Sequence, residues 1–248
     1  MDSAGRPKAV NSLAFFASEP HPCSYLDDQT AISVFADPSV PMTMPVYSRL
    51  ADYGFRRSGS YVYTPSCPSC KACLPLRIPV EGFRPNRSQR RTIKRNADLT
   101  VQAIPATFRQ EHFELYCRYL SHRHAGSTME NPTQEEYMSF LYSDWSDTWF
   151  YEFRDNGKLV GVSVADKLVQ GLSAVYTFFE PAYEARSLGT YAILWLVEET
   201  KSLQLRALYL GYWIPQCKKM QYKSFFRPSE IFRNGRWIPL SDPSSEGC

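Results

Sequence analysis

Between Phe83 and Arg95 the chain reads FRPNRSQRRTIKR, with five arginines, one lysine and no acidic residue between Glu81 and Asp98. Pro85 favours a turn and Ser88 is a good N-cap, so a short helix is expected from Gln89. Arg91 and Arg95 then share one face, and Arg90 and Lys94 the next. Like charges four apart repel, so this helix calls for an anion beside it. Carboxylate and phosphate both suit the planar guanidinium fork. A solvated basic face is the plainer reading. Immediately upstream lies Cys67-Pro-Ser-Cys70-Lys-Ala-Cys73, with Arg77 shortly after. Three thiols at this spacing can hold one metal ion if Cys23 or His21 supplies a fourth ligand. Free buried thiols are the alternative.

A second stretch, Tyr209 to Pro228, interleaves aromatics with Lys218, Lys219, Lys223 and Arg227 and contains no acid. Stacking faces among cations suit a nucleotide end. An amphipathic segment with snorkelling lysines is the bland alternative. Cys217 sits beside two lysines, but a catalytic thiol needs a histidine base, and His21, His112, His122 and His124 are all distant in sequence. Asp166 ends an apolar run. It reads either as a carboxylate facing a cleft, able to orient an amine, or as an ordinary turn-entry residue.

These groups belong to a chain of 248 residues that is 44% hydrophobic and 15% aromatic, enough for a real core. The formal net charge of +3 is small, so any polyanion-binding signal is local. No apolar run is long enough to span a bilayer, and Met1 to Val10 lacks the apolar centre of a signal peptide. Seven unevenly spaced cysteines argue for reduced thiols or a metal site, hence a cytoplasmic setting.

The elements that must position these residues follow from pattern. Residues 1–20 read as a loose arm, 21–105 as a Cys- and Arg-rich region, 106–240 as a catalytic region and 241–248 as a tail. Leu26 to Phe35 can form a strand or turn. Met44 to Phe55 has helical spacing and stops at Gly54. Strands are expected at Ser60 to Pro65, Leu74 to Val80 and Leu99 to Ile104. Thr107 to Gln110 resembles a capping box opening a helix to about His124, and Thr133 to Glu136 opens another. Three strands then follow, Thr148 to Arg154, Leu159 to Lys167 and Leu172 to Phe179, with hairpin turns between them. A helix from Leu188 to Leu205, a buried strand Ala207 to Tyr212 and a hairpin around Asn234-Gly235 complete the chain.

An antiparallel meander, then a helix, then a strand is the order of an N-acetyltransferase-like (GNAT) core. Arg186-Ser-Leu-Gly189-Thr-Tyr191 partly matches the phosphate loop of those enzymes, in which a helix N-terminus offers backbone N–H groups. Tyr191 stands where that loop has a small residue. An ordinary glycine near a helix start is the other reading.

At family level, YSRLADYGFRRSGSYVYTPSCPSCKACLPLRIPV with FRPNRSQRR resembles the amino-terminal half of the bacterial aminoacyl-tRNA–protein transferases of the arginyltransferase superfamily. GLSAVYTFFEP, SLGTYAILWLVEE and LYLGYWIPQCKKMQYKSFFRPSE resemble its carboxyl-terminal half. The resemblance implies an α+β, GNAT-like fold, two such units with mostly antiparallel mixed sheets flanked by helices, and no acetyl-CoA. It implies an aminoacyl-tRNA donor, leucyl-tRNA in the bacterial branch, and protein acceptors beginning with Asp or Glu, which are thereby marked for N-degron degradation. Its eukaryotic relatives hold an iron–sulfur cluster on cysteines. Here the candidates are Cys23, Cys67, Cys70 and Cys73, for such a cluster or for zinc, with no cofactor required by the chemistry.

Taken with the residues, this assigns acceptor binding to Arg77, Arg87, Gln89, Arg90 and Arg91. The donor tRNA falls to Arg186, Gly189, Tyr212, Lys218 and Lys219, and catalysis to Tyr222, Lys223 and Asp166. The donor amino acid is not readable from residues, so an arginyl donor stays open. So do an acetyl-CoA-dependent N-acetyltransferase and a non-enzymatic, metal-stabilised RNA-binding module.

Overall fold

The computed structural model describes residues 13–123 and 131–241. His124 and most of the expected arm and tail lie outside them. In chain order the elements are β1 (Phe15–Ala17), β2 (His21–Pro22), β3 (Thr30–Ala31), β4 (Ser33–Ala36), α1 (Met44–Asp52), β5 (Arg56–Ser58), β6 (Tyr61–Pro65), β7 (Leu74–Pro79), α2 (Arg87–Arg95) and β8 (Thr100–Pro105). Then come α3 (Gln110–Arg123), α4 (Gln134–Leu141), β9 (Thr148–Asp155), β10 (Lys158–Lys167), β11 (Gly171–Phe179), α5 (Leu188–Ser202), β12 (Ala207–Trp213), β13 (Glu230–Arg233) and β14 (Arg236–Pro239). Pro181–Arg186 and Lys218–Phe225 are 3-10 turns.

Eight strands form one sheet in the order β14-β13-β7-β12-β11-β10-β9-β8. Every pairing is antiparallel except that of β11 with β12. β7, from the Cys- and Arg-rich region, lies between β12 and β13, so strands from both halves of the chain interleave in this sheet. A four-stranded sheet, β1-β4-β6-β5, stands beside it. The described elements make one large sheet and one small one. Phe15–Ala17, expected in a loose arm, pair with β4.

Side-chain alternation sorts the core. Leu208 and Leu210 join α5 on one face of the large sheet, where α2 also packs. Val162, Val164, Val175 and Phe178 meet α3 and α4 on the other. Ala207 and Tyr209 meet α1 and the small sheet. The small sheet abuts α4, the Gly59 N–H donating to the Phe140 carbonyl at 3.1 Å.

Local signals explain most boundaries. Gly54, at φ +85°, stops α1 as expected, because a side chain there would also collide with Pro75. α2 opens earlier than Ser88 suggests. Asn86 accepts from the Gln89 N–H while the Gln89 side chain accepts from the Asn86 N–H, a reciprocal capping box. α3 starts at Gln110, with the first amide bonds going to the Arg109 carbonyl. Thr133 and Glu136 form their capping box as expected.

Candidate active site at the parting of two parallel strands

β11 and β12 pair only over Gly171–Ser173 with Ala207–Tyr209. Beyond Tyr209 the register of β12 against β7 shifts, and Gly211 takes φ +69°. The parallel strands part towards their carboxyl ends, the end from which sheets of this kind present ligand sites. Arg56 of β5 enters the gap. Its Nη2 donates to the Val175 carbonyl at 2.6 Å. A Cβ on Gly211 would lie 2.2 Å from Arg56 Nη1, so a side chain there would displace the guanidinium, and the positive φ independently favours glycine.

Lys223, in the turn after β12, reaches back into the same region. Its ammonium donates to the carbonyls of Leu210 at 2.9 Å and Tyr212 at 2.6 Å, pinning the backbone on either side of Gly211. Burial first, and the Arg56 charge second, hold its pKa down to about 7. Among the described residues neither Arg56 nor Lys223 is ion-paired with a carboxylate. Burial raises the pKa of Tyr25 and Tyr212, and both phenols sense the Arg56 charge. Tyr222, adjacent to Lys223 in the chain, is 42% exposed, and Phe225 is 63% exposed.

The other expected site residues fall into separate places. Arg87, Arg90 and Arg91 are exposed on α2. Gln89 is buried, and its amide donates to the Phe225 carbonyl at 3.1 Å, which ties α2 to the turn carrying the exposed Lys218 and Lys219. Gln89 is thus used internally, as cap and as tether. Arg77 is also occupied. Its Nε donates to Glu230 at 2.7 Å, Asp52 lies 3.7 Å from Nη1, and the guanidinium covers Trp237 at 4.3 Å.

Arg186 pairs with Asp98, and Gly189 sits at the start of α5 against the Phe179 ring. Tyr212 is a buried strut whose hydroxyl lies 3.0 Å from the carbonyls of both Gly54 and Tyr63, with no exposed face for a base to stack on. Asp166 faces the interior, not a cleft. It accepts from Arg57 Nε and Nη2 at 2.7 Å each, from Thr148 at 2.7 Å and from Tyr47 at 3.0 Å.

Cys23, Cys67, Cys70 and Cys73 line one cavity of about 370 Å³, which Ile214 joins to the end of β12. Burial, then Cys67, Cys23 and Cys70 in turn, push the Cys73 thiol up to about 11. A bound cation would reverse that mutual cost, so the donor set fits a thiolate-liking metal in kind and number. Among the described residues no three of these sulfurs lie within 4.8 Å of one another, so ligation requires them to draw in. His21, the alternative fourth ligand, is exposed and bonds the Glu19 carbonyl. A tighter group, Glu111, His112 and Glu152, already has Arg109 and Arg154 on its carboxylates.

The sequence assigned no role to Arg56 and Arg57, although both lie in the stretch that carries the family resemblance. The available signal was a doubled arginine ahead of an aromatic strand. Alternation in β5 sends one side chain to the interior and the other to the gap.

The site defines the class as a mixed α/β protein whose parting parallel strands, two cations and basic flank suit anionic substrates. Its closeness to known proteins is specific. Residues 21–91 match the family model for the N terminus of arginine-tRNA-protein transferase and residues 111–233 that for its C terminus. The chain belongs to the arginine-tRNA-protein transferase family, and is an aminoacyltransferase. It is 53% identical over 229 residues to proteins named aspartate/glutamate leucyltransferase from Pseudomonas entomophila (strain L48) and Pseudomonas putida (strain GB-1), covering 92% of this chain and 97% of each relative. Among solved structures, the C-terminal DUF2156 domain of a candidate lysylphosphatidylglycerol synthetase from Agrobacterium fabrum shares the fold, with a TM-score of 0.51 at 12% identity. That match covers 77% of this chain and 62% of the other, under two thirds of its length.

Proposed function

We propose that this protein transfers leucine from leucyl-tRNA to the α-amine of proteins beginning with Asp or Glu, and so marks them for N-degron degradation. The observation that carries the reading is the cation-lined gap between β11 and β12 beside the acid-free basic face of α2 and residues 218–225. An acidic acceptor and a polyanionic donor are the substrates such surfaces suit. The relatives' name supports leucine over arginine as the donor amino acid. A family of tRNA-dependent transferases favours neither the acetyl-CoA nor the non-enzymatic alternative. Among the described residues no helix is long and apolar enough to cross a membrane, and use of charged tRNA fits a cytoplasmic site.

The strand–helix–strand unit β11–α5–β12 is read as a GNAT-like acyl-transfer core. The acceptor amine attacks the ester carbonyl of the charged tRNA. A C–N bond forms, the C–O bond to the ribose breaks, and the amine proton is balanced by protonation of the departing hydroxyl. An α-amine has a pKa of about 7.7–8, so much of it is nucleophilic near neutrality. Holding amine and ester together lowers the barrier by several kcal/mol, roughly 7 or more in well-oriented systems. No covalent enzyme intermediate is needed. Tyr222, the part-exposed tyrosine next to Lys223 in the chain, is assigned the hydrogen bond to the developing oxyanion, and the burial that raises its pKa keeps the phenol protonated for it. Cys23, Cys67, Cys70 and Cys73 would hold zinc or an iron–sulfur cluster as a structural clamp at the end of β12.

The test is a transfer assay with labelled leucyl-tRNA or arginyl-tRNA and peptides beginning with Asp or Ala. Leucine on the Asp peptide alone is expected. Arginine transfer would correct the donor. Transfer from neither would overturn the reading.

A further inference from the structure

We infer that the guanidinium of Arg56 is the group that recognises the side-chain carboxylate of the acceptor's first residue, in the gap between β11 and β12. This rests on the transfer reaction proposed above and names its specificity determinant.

Two cations, half-buried Arg56 and buried Lys223, meet where β11 and β12 part with no carboxylate partner among the described residues, and uncompensated buried charge is costly. Such an arrangement stores affinity for an anion. Lys223 spends its hydrogen bonds on the Leu210 and Tyr212 carbonyls, which leaves it a source of field. Arg56 has five N–H donors, of which one bonds the Val175 carbonyl. Among the described residues its other N–H groups make no hydrogen bond, and a planar acid would satisfy them as a bidentate pair, read by shape as well as charge.

The competing arginines are less suited. Arg77 already answers Glu230 and Asp52. Arg87 and Arg91 stand in solvent on α2, and an exposed pair discriminates by no more than about fivefold. Arg56 is also held in place from three directions. Val175 accepts its bond, Gly211 leaves it room, and its chain neighbour Arg57 is clamped by Asp166. A preorganised charge costs little further ordering when its ligand arrives. A buried cation left unpaired by an uncharged first residue also rejects the wrong acceptor.

The experiment compares peptides identical except for a first residue of Asp or Asn, with wild-type enzyme, Arg56→Gln and Arg56→Lys. Wild-type kcat/KM should favour Asp over Asn by about a hundredfold, as loss of charge-assisted bonds predicts. Arg56→Gln should remove most of that preference by lowering the Asp value alone, with the Asn value and the KM for leucyl-tRNA unchanged. Arg56→Lys, which keeps the charge and loses the fork, should fall between. Equal loss on both peptides, or a raised KM for the tRNA with the peptide preference intact, would overturn the assignment. Direct titration of the two peptides into the protein reads the same preference without chemistry. An Asp preference in binding that Arg56→Gln abolishes would therefore support the site even if no leucine were transferred. A binding preference that survives Arg56→Gln would overturn it.

Discussion

Arg57 and Asp166 meet as a bidentate pair, Nε to Oδ2 and Nη2 to Oδ1 at 2.7 Å each, with both side chains wholly shielded from solvent. The pair fastens the small sheet to the large one, since Arg57 belongs to β5 and Asp166 to β10. Arg57 also donates to the carbonyls of Gly59 and Leu141, so few of its donors are left over. In a strand the neighbouring side chain must point the other way, and Arg56 does, towards the Val175 carbonyl and Gly211.

Breaking that pair should be severe. Asp166→Asn is expected to cost about 3–5 kcal/mol of unfolding free energy, because it strands a buried guanidinium. Urea denaturation measures it. The acceptor KM should rise as Arg56 loses its anchor, while the pH profile of kcat stays in place. Near-wild-type stability with a displaced pH profile would return Asp166 to the chemistry.

Lys223 should make acceptor binding a proton-coupled event. Its pKa of about 7 reflects burial and then Arg56. A carboxylate bound at Arg56 offsets the second cause and raises that pKa, so binding near pH 7–8 should take up a fraction of a proton. Calorimetry in buffers of different ionisation heat reads this directly, and Lys223→Met should abolish it. For folding the sign is fixed as well. The native pKa lies below the unfolded value of 10.5, so the unfolded chain binds more protons between about 7 and 10.5. This group's contribution to stability therefore rises with pH across that window. Equal binding heats in all buffers would argue against coupling.

The basic face of α2 should report on tRNA. Arg87 and Arg91 make no ion pair among the described residues, and Gln89 joins their helix to the turn bearing Lys218 and Lys219. Replacing Arg87 and Arg91 together by alanine should flatten the slope of log affinity against log salt by about 1.4–1.8, at 0.7–0.9 for each phosphate no longer neutralised. The Asp-peptide KM should not move. A raised peptide KM with an unchanged salt slope would instead place these arginines at the acceptor.

The thiol cavity makes a compositional prediction. Protein purified without oxygen or chelator should carry zinc or iron, and Cys70→Ser should lose it together with several degrees of melting temperature, on the scale of ~4 °C per kcal/mol. Metal-free protein whose cysteines at 23, 67, 70 and 73 all titrate rapidly with a thiol reagent would exclude the clamp.

Much of this chain was legible because its signals are local. The capping box at Thr133, the hairpin turns at Asn156-Gly157 and Asn234-Gly235 and the stop at Gly54 each involve residues a few positions apart. The basic helix was legible too, although Asn86, not Ser88, caps it. Burial was not. Asp166 and Tyr212 carry polar groups that a linear reading assigns to a cleft, and both are satisfied inside the protein. Arg77 looked free until Glu230, 153 positions later, closed on it.

By itself the sequence determined the order of elements, the acid-free basic helix, the clustered thiols and the family, all of which rest on residue type and short spacing. Only the tertiary structure decided which cation meets which anion. Pairing depends on strand order, here β7 inserted between β12 and β13, and on the face each strand residue presents. Arg56 and Arg57 are chemically identical and adjacent. The fold buries one against Asp166 and, among the described residues, leaves the other without a carboxylate where β11 and β12 part, because alternation along a strand sends neighbours to opposite environments.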